Sequence, residues 1–258
     1  MAKIDLAGLS THIQRLGHGT PSVFFIHGLV MDNLSSWYFT VAPRVAQLTG
    51  VVLYDLRGHG RSQRPHEGYT VEHFLIDLDR LIMSHVQPGD QVHLVGNSFG
   101  GMLALAYAQR EPAKVKSVVS VDGHLHTADW AEQMTQTLAL TGKERDIQIA
   151  HSFQHWLGRN SERKRNRLAE NARDLVEGTS LISDLRTSKP LSSDALSGLK
   201  CPILALYGSN SDVLHNGQQL KRLTPACTLE IFDGCSHSIL WEATESVSER
   251  IVNWIEGF

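Results

Sequence analysis

Short, almost continuously apolar segments recur along the chain, separated by longer segments with helical spacing. The apolar segments are SVFFIHG (22–28), GVVLYDLRG (50–58), QVHLVGNS (91–98), VKSVVSVDG (115–123), CPILALYGS (201–209) and CTLEIFDG (227–234). They predict strands that are covered on both faces. The segments 71–86 and 242–258 carry apolar residues at three-to-four spacing, which predicts helices.

This alternation predicts an α/β fold with a mostly parallel sheet of about eight strands, flanked by helices on both faces. The opening segment 9–20 predicts an additional strand, antiparallel at one edge of the sheet.

The segment 124–199 breaks the alternation. It contains three helical patterns, at 130–140, 146–158 and 162–178, and no apolar strand pattern. A helical insertion between two strands of a parallel sheet is expected at the edge where the strands end, which is where ligands bind. We therefore predict an α/β core of 1–123 and 200–258 with a helical cap of 124–199. An insertion that only adds stability is the alternative.

Composition and charge exclude several classes of protein. The 258 residues are 41% hydrophobic with a net charge of −3, which gives no reason to expect nucleic acid or an anionic membrane as a partner. There is no apolar run of membrane-spanning length and no apolar leader, and the three cysteines show no metal-binding spacing. These features predict a cytoplasmic monomer or homodimer that acts on a small molecule.

The stretch LVGNSFGG places Ser98 between Gly96 and Gly100, after an apolar run and before a helical one. A strand–G-x-S-x-G–helix pattern is typical of a nucleophilic serine, because the glycines allow a sharp turn that exposes the hydroxyl group. The free N–H groups of the helix that begins at Phe99 point at the same position and can stabilise an oxyanion.

A nucleophilic serine needs a base and an orienting acid. His237 follows the strand pattern CTLEIFDG, and Asp212 follows CPILALYGSN, so both loops are expected at the edge of the sheet where Ser98 lies. Asp122, at the end of VVSVDG, is an alternative acid. A serine triad makes a metal or cofactor unnecessary, and none is predicted.

Five motifs, SVFFIHGL, YDLRGHGRS, LVGNSFGG, ALYGSNSD and DGCSHSILWE, occur in the order and spacing of the α/β-hydrolase fold family, which this chain resembles. The resemblance implies that residues 27–29 form the oxyanion turn. It further implies that the amides of Leu29 and Phe99 bind the oxyanion, and that His59 has a structural role.

These observations predict a serine hydrolase that cleaves an ester or thioester of an apolar acyl group. Asn97 before the serine resembles the carbon–carbon hydrolases of ring-cleavage products, although the HGLVMDN turn and Ser238 after the histidine differ from them. Lactonase, acyltransferase and cyclase chemistry remain open, as do a receptor without turnover and a cofactor-free lyase.

Six residues that lie beside the triad or the oxyanion turn in sequence, or in the first part of the cap, are predicted to bind the substrate. They are Val30, Asn97, His124, Trp130, Leu214 and Ile239. Phe153 and Trp156 of the cap are further candidates, or else part of its core. Asp32 and Asn33 are predicted to cap a helix that begins near Ser35 rather than to contact a polar substrate group. The spacing of His124, His126 and Asp129 does not match that of a metal site.

Overall fold

A computed structural model describes residues 2–139 and 162–258 and contains one sheet of eight strands. The strands are β1 (Ala2–Asp5), β2 (Ser10–Leu16), β3 (Pro21–Ile26), β4 (Gly50–Tyr54), β5 (Val92–Asn97), β6 (Val115–Val121), β7 (Ile203–Gly208) and β8 (Cys227–Phe232). They are arranged in the order β1-β2-β4-β3-β5-β6-β7-β8. Only the β1–β2 and β2–β4 pairs are antiparallel, which confirms the predicted mostly parallel sheet.

The strand predicted in the segment 9–20 does not have the predicted position in the sheet. The strand β2 is antiparallel as predicted, but it does not lie at the edge of the sheet, because β1 pairs outside it. The segment 2–5 has too few residues to show a pattern of its own.

Helices cover both faces of the sheet. They are α1 (Ser35–Tyr38), α2 (Ala42–Val45), α3 (Val71–Met83), α4 (Phe99–Arg110), α5 (Ala128–Ala139), α6 (Glu162–Gly178), α7 (Leu181–Thr187), α8 (Ser193–Ser197), α9 (Leu214–Leu223), α10 (Ile239–Glu242) and α11 (Thr244–Glu256). None of the helices in the described part of the chain is long and apolar enough to cross a membrane.

Each central strand contributes to two cores, because successive side chains of a strand point to opposite faces. Phe24 and Ile26 of β3 pack in one core with residues of α3 and α4. Val23 and Phe25 of the same strand pack in the other core with Trp37 and with residues of α11. The near-continuous apolar pattern of the sequence reflects this burial on both sides.

The parallel register brings several strand ends to one edge of the sheet. Gly96 of β5 lies opposite Ile26 of β3 and Ser120 of β6, while Leu206 of β7 lies opposite Val121 and Glu230. The loops that follow β3, β5, β6, β7 and β8 therefore meet at this edge.

All described elements between β6 and β7 are helices, α5 to α8. Asp184 of α7 accepts hydrogen bonds from the backbone N–H groups of Gly68 (3.1 Å) and Tyr69 (2.6 Å), and the Ser188 hydroxyl accepts one from that of Val71 (3.0 Å). The end of the insertion is thus attached to the start of α3. The predicted helix 146–158, with Phe153 and Trp156, lies outside the described residues.

A buried ion pair fixes the turn that follows β4 against α3. The Arg57 guanidinium donates two hydrogen bonds, of 2.6 and 2.7 Å, to the Asp77 carboxylate. We expect Asp77→Ala to lower the free energy of unfolding by about 3–5 kcal/mol, because it leaves a buried, unpaired guanidinium. Chemical denaturation measures this loss. Glu245→Ala, which removes the exposed partner of Arg44, is the matched control and should cost less than about 1 kcal/mol. Equal losses in the two variants would contradict the expectation.

Candidate active site

Ser98 occupies a strained turn between β5 and α4. Its backbone has φ +53° and ψ −118°, in a region that costs a side-chain-bearing residue about 1–3 kcal/mol. A methyl group on Gly96 would overlap the Gly100 carbonyl, and one on Gly100 would overlap the Ile26 carbonyl. The two glycines are therefore required by the close approach of helix, turn and neighbouring strand.

His237 lies in the loop after β8 and contacts the serine. Its Nε2 is 3.1 Å from the Ser98 Oγ, which is hydrogen-bond distance. Burial lowers the pKa of His237 below its ordinary value, and the nearby Asp212 carboxylate opposes this shift. The neutral form of the ring, which is able to take a proton from the serine, is therefore favoured.

The two candidate acids differ in position and environment. Asp212, in the loop after β7, has its Oδ1 4.0 Å from the His237 Nδ1, and 82% of its side chain is exposed. This separation is longer than a hydrogen bond, and catalytic hydrogen bonds often shorten only when the substrate is bound. The Nδ1 atom has no hydrogen-bond partner among residues 2–139 and 162–258.

Asp122 is almost fully buried at the end of β6, where its backbone also has a positive φ of 43°. Burial raises the pKa of Asp122 to about 8, and the charges of Asp212 and Glu242 add to this effect, whereas hydrogen bonds from Ser211 and Gly208 oppose it. It does not hydrogen-bond to His237. The geometry therefore favours Asp212.

Two histidines shape the turn that follows β3. The His27 Nε2 accepts the N–H of Leu56 (2.9 Å), and the His59 Nε2 accepts that of Val30 (2.7 Å). Burial, together with the proximity of His27, lowers the pKa of His59 to about 3, so its ring stays neutral and can act as an acceptor. His59 thus has the structural contact that the family resemblance implies.

These contacts leave the amides of Leu29 and Phe99 free of any acceptor within the described ranges. Leu29 lines the same pocket as Ser98, and Phe99 is the first residue of α4. The ring of Phe99 is buried against Phe74, at a centroid distance of 5.2 Å, so the residue offers only its backbone to a substrate.

Ser98 and His237 line a small pocket of about 50 Å³. Its other lining residues are Gly28, Leu29, Met31, Asp32, Asn97, Val121, Ser238, Leu240 and Trp241. Of the six residues predicted to bind the substrate, only Asn97 lies among them.

The other five lie elsewhere in the structure. Ile239 is fully buried in the core that contains α11, and Leu214 is half-buried against the opposite core. The Val30 amide is bonded to His59, and its side chain packs on the core. The ring of His124 lies 5.6 Å from that of His237, and the Trp130 indole stacks on the Phe99 ring at 5.8 Å.

Met31, Asp32, Leu240 and Trp241 are pocket residues that the sequence analysis did not assign to the substrate. The Asn33 Oδ1 accepts the N–H of Ser35 (3.0 Å), the first residue of α1, but the cap position itself is occupied by Leu34, whose side chain forms no capping hydrogen bond. Asp32 does not cap the helix, since its carboxylate turns back to the Gly28 N–H (2.8 Å).

Within the described ranges no group of three or more histidine, cysteine, aspartate or glutamate side chains could hold a metal ion. Cys201, Cys227 and Cys235 are free thiols.

A profile of the α/β-hydrolase fold family matches residues 21–177, more than half of the chain, and the protein belongs to this family. The 2-hydroxy-6-oxo-2,4-heptadienoate hydrolase of Pseudomonas putida is 36% identical over 115 residues, which are 43% of this chain and only 40% of that relative. The 2-(acetamidomethylene)succinate hydrolase of Mesorhizobium japonicum is 24% identical over 99% of this chain and 95% of its own length.

The structure of a serine hydrolase from Cycloclasticus zankles shares the fold, with a TM-score of 0.81 at 20% identity over 99% of this chain and 97% of that chain. These findings confirm the predicted family and fold. The relatives are named as hydrolases, in agreement with the predicted enzyme class.

Proposed function

We propose that the protein is a serine hydrolase that cleaves esters or thioesters of apolar acyl groups through an acyl-enzyme. One observation carries the proposal: the strained turn places the Ser98 Oγ 3.1 Å from the His237 Nε2. A serine hydroxyl with a neutral imidazole at this distance is the arrangement that nucleophilic catalysis requires.

In the first half of the reaction, the Ser98 Oγ attacks the acyl carbonyl carbon while His237 takes its proton. The Leu29 and Phe99 amides stabilise the oxyanion of the tetrahedral intermediate. The imidazolium of His237 then protonates the leaving alcohol or thiol. Asp212 orients the ring and stabilises its charged form.

In the second half, water attacks the acyl-enzyme and His237 again acts as the base. Collapse of the second tetrahedral intermediate releases the acid and returns the proton to Ser98. The apolar part of the pocket wall, formed by Leu29, Met31, Val121, Leu240 and Trp241, supports an apolar acyl group.

A panel of 4-nitrophenyl esters and acyl thioesters of increasing chain length tests the proposal. We expect turnover with a burst of 4-nitrophenol, because acylation by an activated ester precedes the hydrolysis of the acyl-enzyme. Absence of turnover across the panel would contradict ester and thioester hydrolysis.

Hydrolysis of a carbon–carbon bond in a vinylogous diketone is a second candidate. The identity of 36% with an enzyme named for 2-hydroxy-6-oxo-2,4-heptadienoate favours it, as does the position of Asn97 in the pocket. That dienoate is the discriminating substrate. If its kcat/KM exceeds that of every ester, the second candidate is correct.

The pH profile of kcat/KM distinguishes the two candidate acids. If Asp212 is the acid, activity should rise with the loss of the His237 proton, with a midpoint below about 6.5 because burial lowers this pKa. Activity should then stay level through pH 8. If Asp122 were the acid, its ionisation at about pH 8 would produce a further rise there. A profile recorded from pH 4 to 9 measures both features.

Substitution of each acid gives a further prediction. We expect Asp212→Asn to lower kcat by about 10²–10³-fold, less than the roughly 10⁴-fold loss known for a buried triad aspartate, because Asp212 is largely exposed. It should also move the acid limb to lower pH, since the Asp212 carboxylate raises the His237 pKa. Asp122→Asn is the matched comparison and should cost less than about tenfold. The reverse order would assign the role to Asp122.

A further inference from the structure

Asp32 places a carboxylate in the wall of the Ser98 pocket. Its Oδ2 accepts hydrogen bonds from the backbone N–H of Gly28 (2.8 Å) and from the Asn97 Nδ2 (3.2 Å), and its Oδ1 accepts one from the N–H of Asn33 (2.8 Å). All three partners are N–H donors, which suit a carboxylate better than a protonated acid. The Asp32 side chain is therefore held in a fixed orientation in the wall of the pocket that contains the nucleophile.

Asn97 lines the same pocket and is hydrogen-bonded to Asp32. Its Nδ2 donates to Asp32, which fixes the orientation of the side-chain amide, and its Oδ1 is buried without a hydrogen-bond partner among the described residues. A buried acceptor without a partner is costly unless a ligand supplies a donor. Asp32 and Asn97 thus form a hydrogen-bonded polar part of the pocket wall.

Other carboxyl groups lie close to the catalytic histidine. Asp212 is 4.0 Å from the His237 ring, and the charges of Asp212 and Glu242 both act on the buried Asp122. A negative charge on a substrate bound next to Ser98 would therefore be repelled most strongly by Asp32. The other carboxylates would add to this repulsion.

We propose that Asp32 is a specificity-determining residue, which with Asn97 selects an uncharged or cationic hydrogen-bond donor in the substrate and rejects a carboxylate. This inference rests on the serine hydrolase function proposed above. It also predicts that the dienoate of the second candidate function is a poor substrate, because that molecule carries a carboxylate.

Two esters with acyl chains of equal length test the proposal, neutral 4-nitrophenyl hexanoate and anionic 4-nitrophenyl hydrogen adipate. We expect the wild-type protein to prefer the hexanoate by at least about tenfold in kcat/KM, and Asp32→Asn to narrow this preference about tenfold. The ratio of the two values is independent of the amount of active enzyme, so a general loss of activity does not affect it.

Two further variants separate the charge at this position from other effects. Asp32→Glu keeps the charge and should keep the preference within about threefold. Asp90→Asn removes the same charge from an exposed loop, where Asp90 accepts the Gln87 N–H, and should leave the ratio unchanged. Equal hydrolysis of both esters by the wild-type protein, or an unchanged ratio in Asp32→Asn, would overturn the proposal.

Thermal stabilisation by hexanamide and by the adipamate anion, which carries a carboxylate at the far end of the same amide, measures the same preference without turnover. Hexanamide should stabilise the wild-type protein more than adipamate does, and Asp32→Asn should reduce the difference. If the wild-type protein cleaves neither ester, the proposed ester hydrolysis is wrong. The difference in thermal stabilisation between the two compounds then still tests whether Asp32 discriminates against a carboxylate. Equal stabilisation by the two compounds would overturn the proposed role of Asp32.

Discussion

Ser98→Ala is expected to lower kcat/KM for the best ester by about 10⁴–10⁶-fold, the range found when the nucleophile of a serine triad is removed. The residual rate should come from the oxyanion donors and from substrate binding, which the substitution leaves in place. The melting temperature should change little, because alanine keeps the backbone strain at φ +53° and the Ser98 side chain has no hydrogen bond other than that with His237 among the described residues. Steady-state kinetics and differential scanning calorimetry measure the two effects.

Ser22→Ala is the matched control. Ser22 lies near the start of β3, at the opposite edge of the sheet, where its hydroxyl contacts that of Thr49 at 2.8 Å. The activity of the Ser22→Ala variant should equal that of the wild-type protein. Retention of most activity in Ser98→Ala would exclude an acyl-enzyme and would favour the lyase alternative, in which His237 acts as a base alone.

The proximity of Ser98 and His237 could be predicted from the sequence because it depends on topology. Near-continuous apolar segments identify the central strands, and the ends of parallel strands meet at one edge. Two residues 139 positions apart are thereby placed within hydrogen-bond distance. The two glycines also predict the sharp turn from the local sequence, since a side chain at either position would overlap neighbouring backbone.

The pocket wall could not be predicted in the same way, because it depends on side-chain direction. Ile239 and Trp241 both follow the catalytic histidine closely, but they are two positions apart on the short helix α10 and therefore point in different directions. Ile239 enters the core and Trp241 lines the pocket. Nearness in sequence to His237 therefore does not distinguish the residue that lines the pocket from the one that enters the core.

The conformation of the turn after β3 also could not be predicted from the sequence. Val30 has φ +66°, a conformation that is rare for a β-branched residue and that no propensity predicts. The amide of Val30 donates a hydrogen bond to His59, and the Asp32 carboxylate accepts one from the Gly28 N–H. The turn therefore includes a contact with a residue 29 positions away, which a local sequence pattern does not contain.

His237→Ala is expected to cause a loss of kcat similar to that of Ser98→Ala, about 10⁴–10⁶-fold, because each residue is ineffective without the other. The double variant Ser98→Ala/His237→Ala should therefore be no slower than either single variant by more than about tenfold. Full additivity of the two losses would show that the residues act independently and would contradict the proposed mechanism.

The same variant also tests the acyl-enzyme directly. Because deacylation needs His237 to activate water, an acyl group transferred slowly from an activated 4-nitrophenyl ester should accumulate on Ser98 in His237→Ala. Intact-mass spectrometry should show one added acyl group, and this adduct should be absent when Ser98 is also replaced. His18→Ala, in the exposed turn between β2 and β3, is the matched histidine control and should turn over normally without an adduct. An adduct that persists in the double variant would place the acyl group elsewhere and would remove Ser98 from the mechanism.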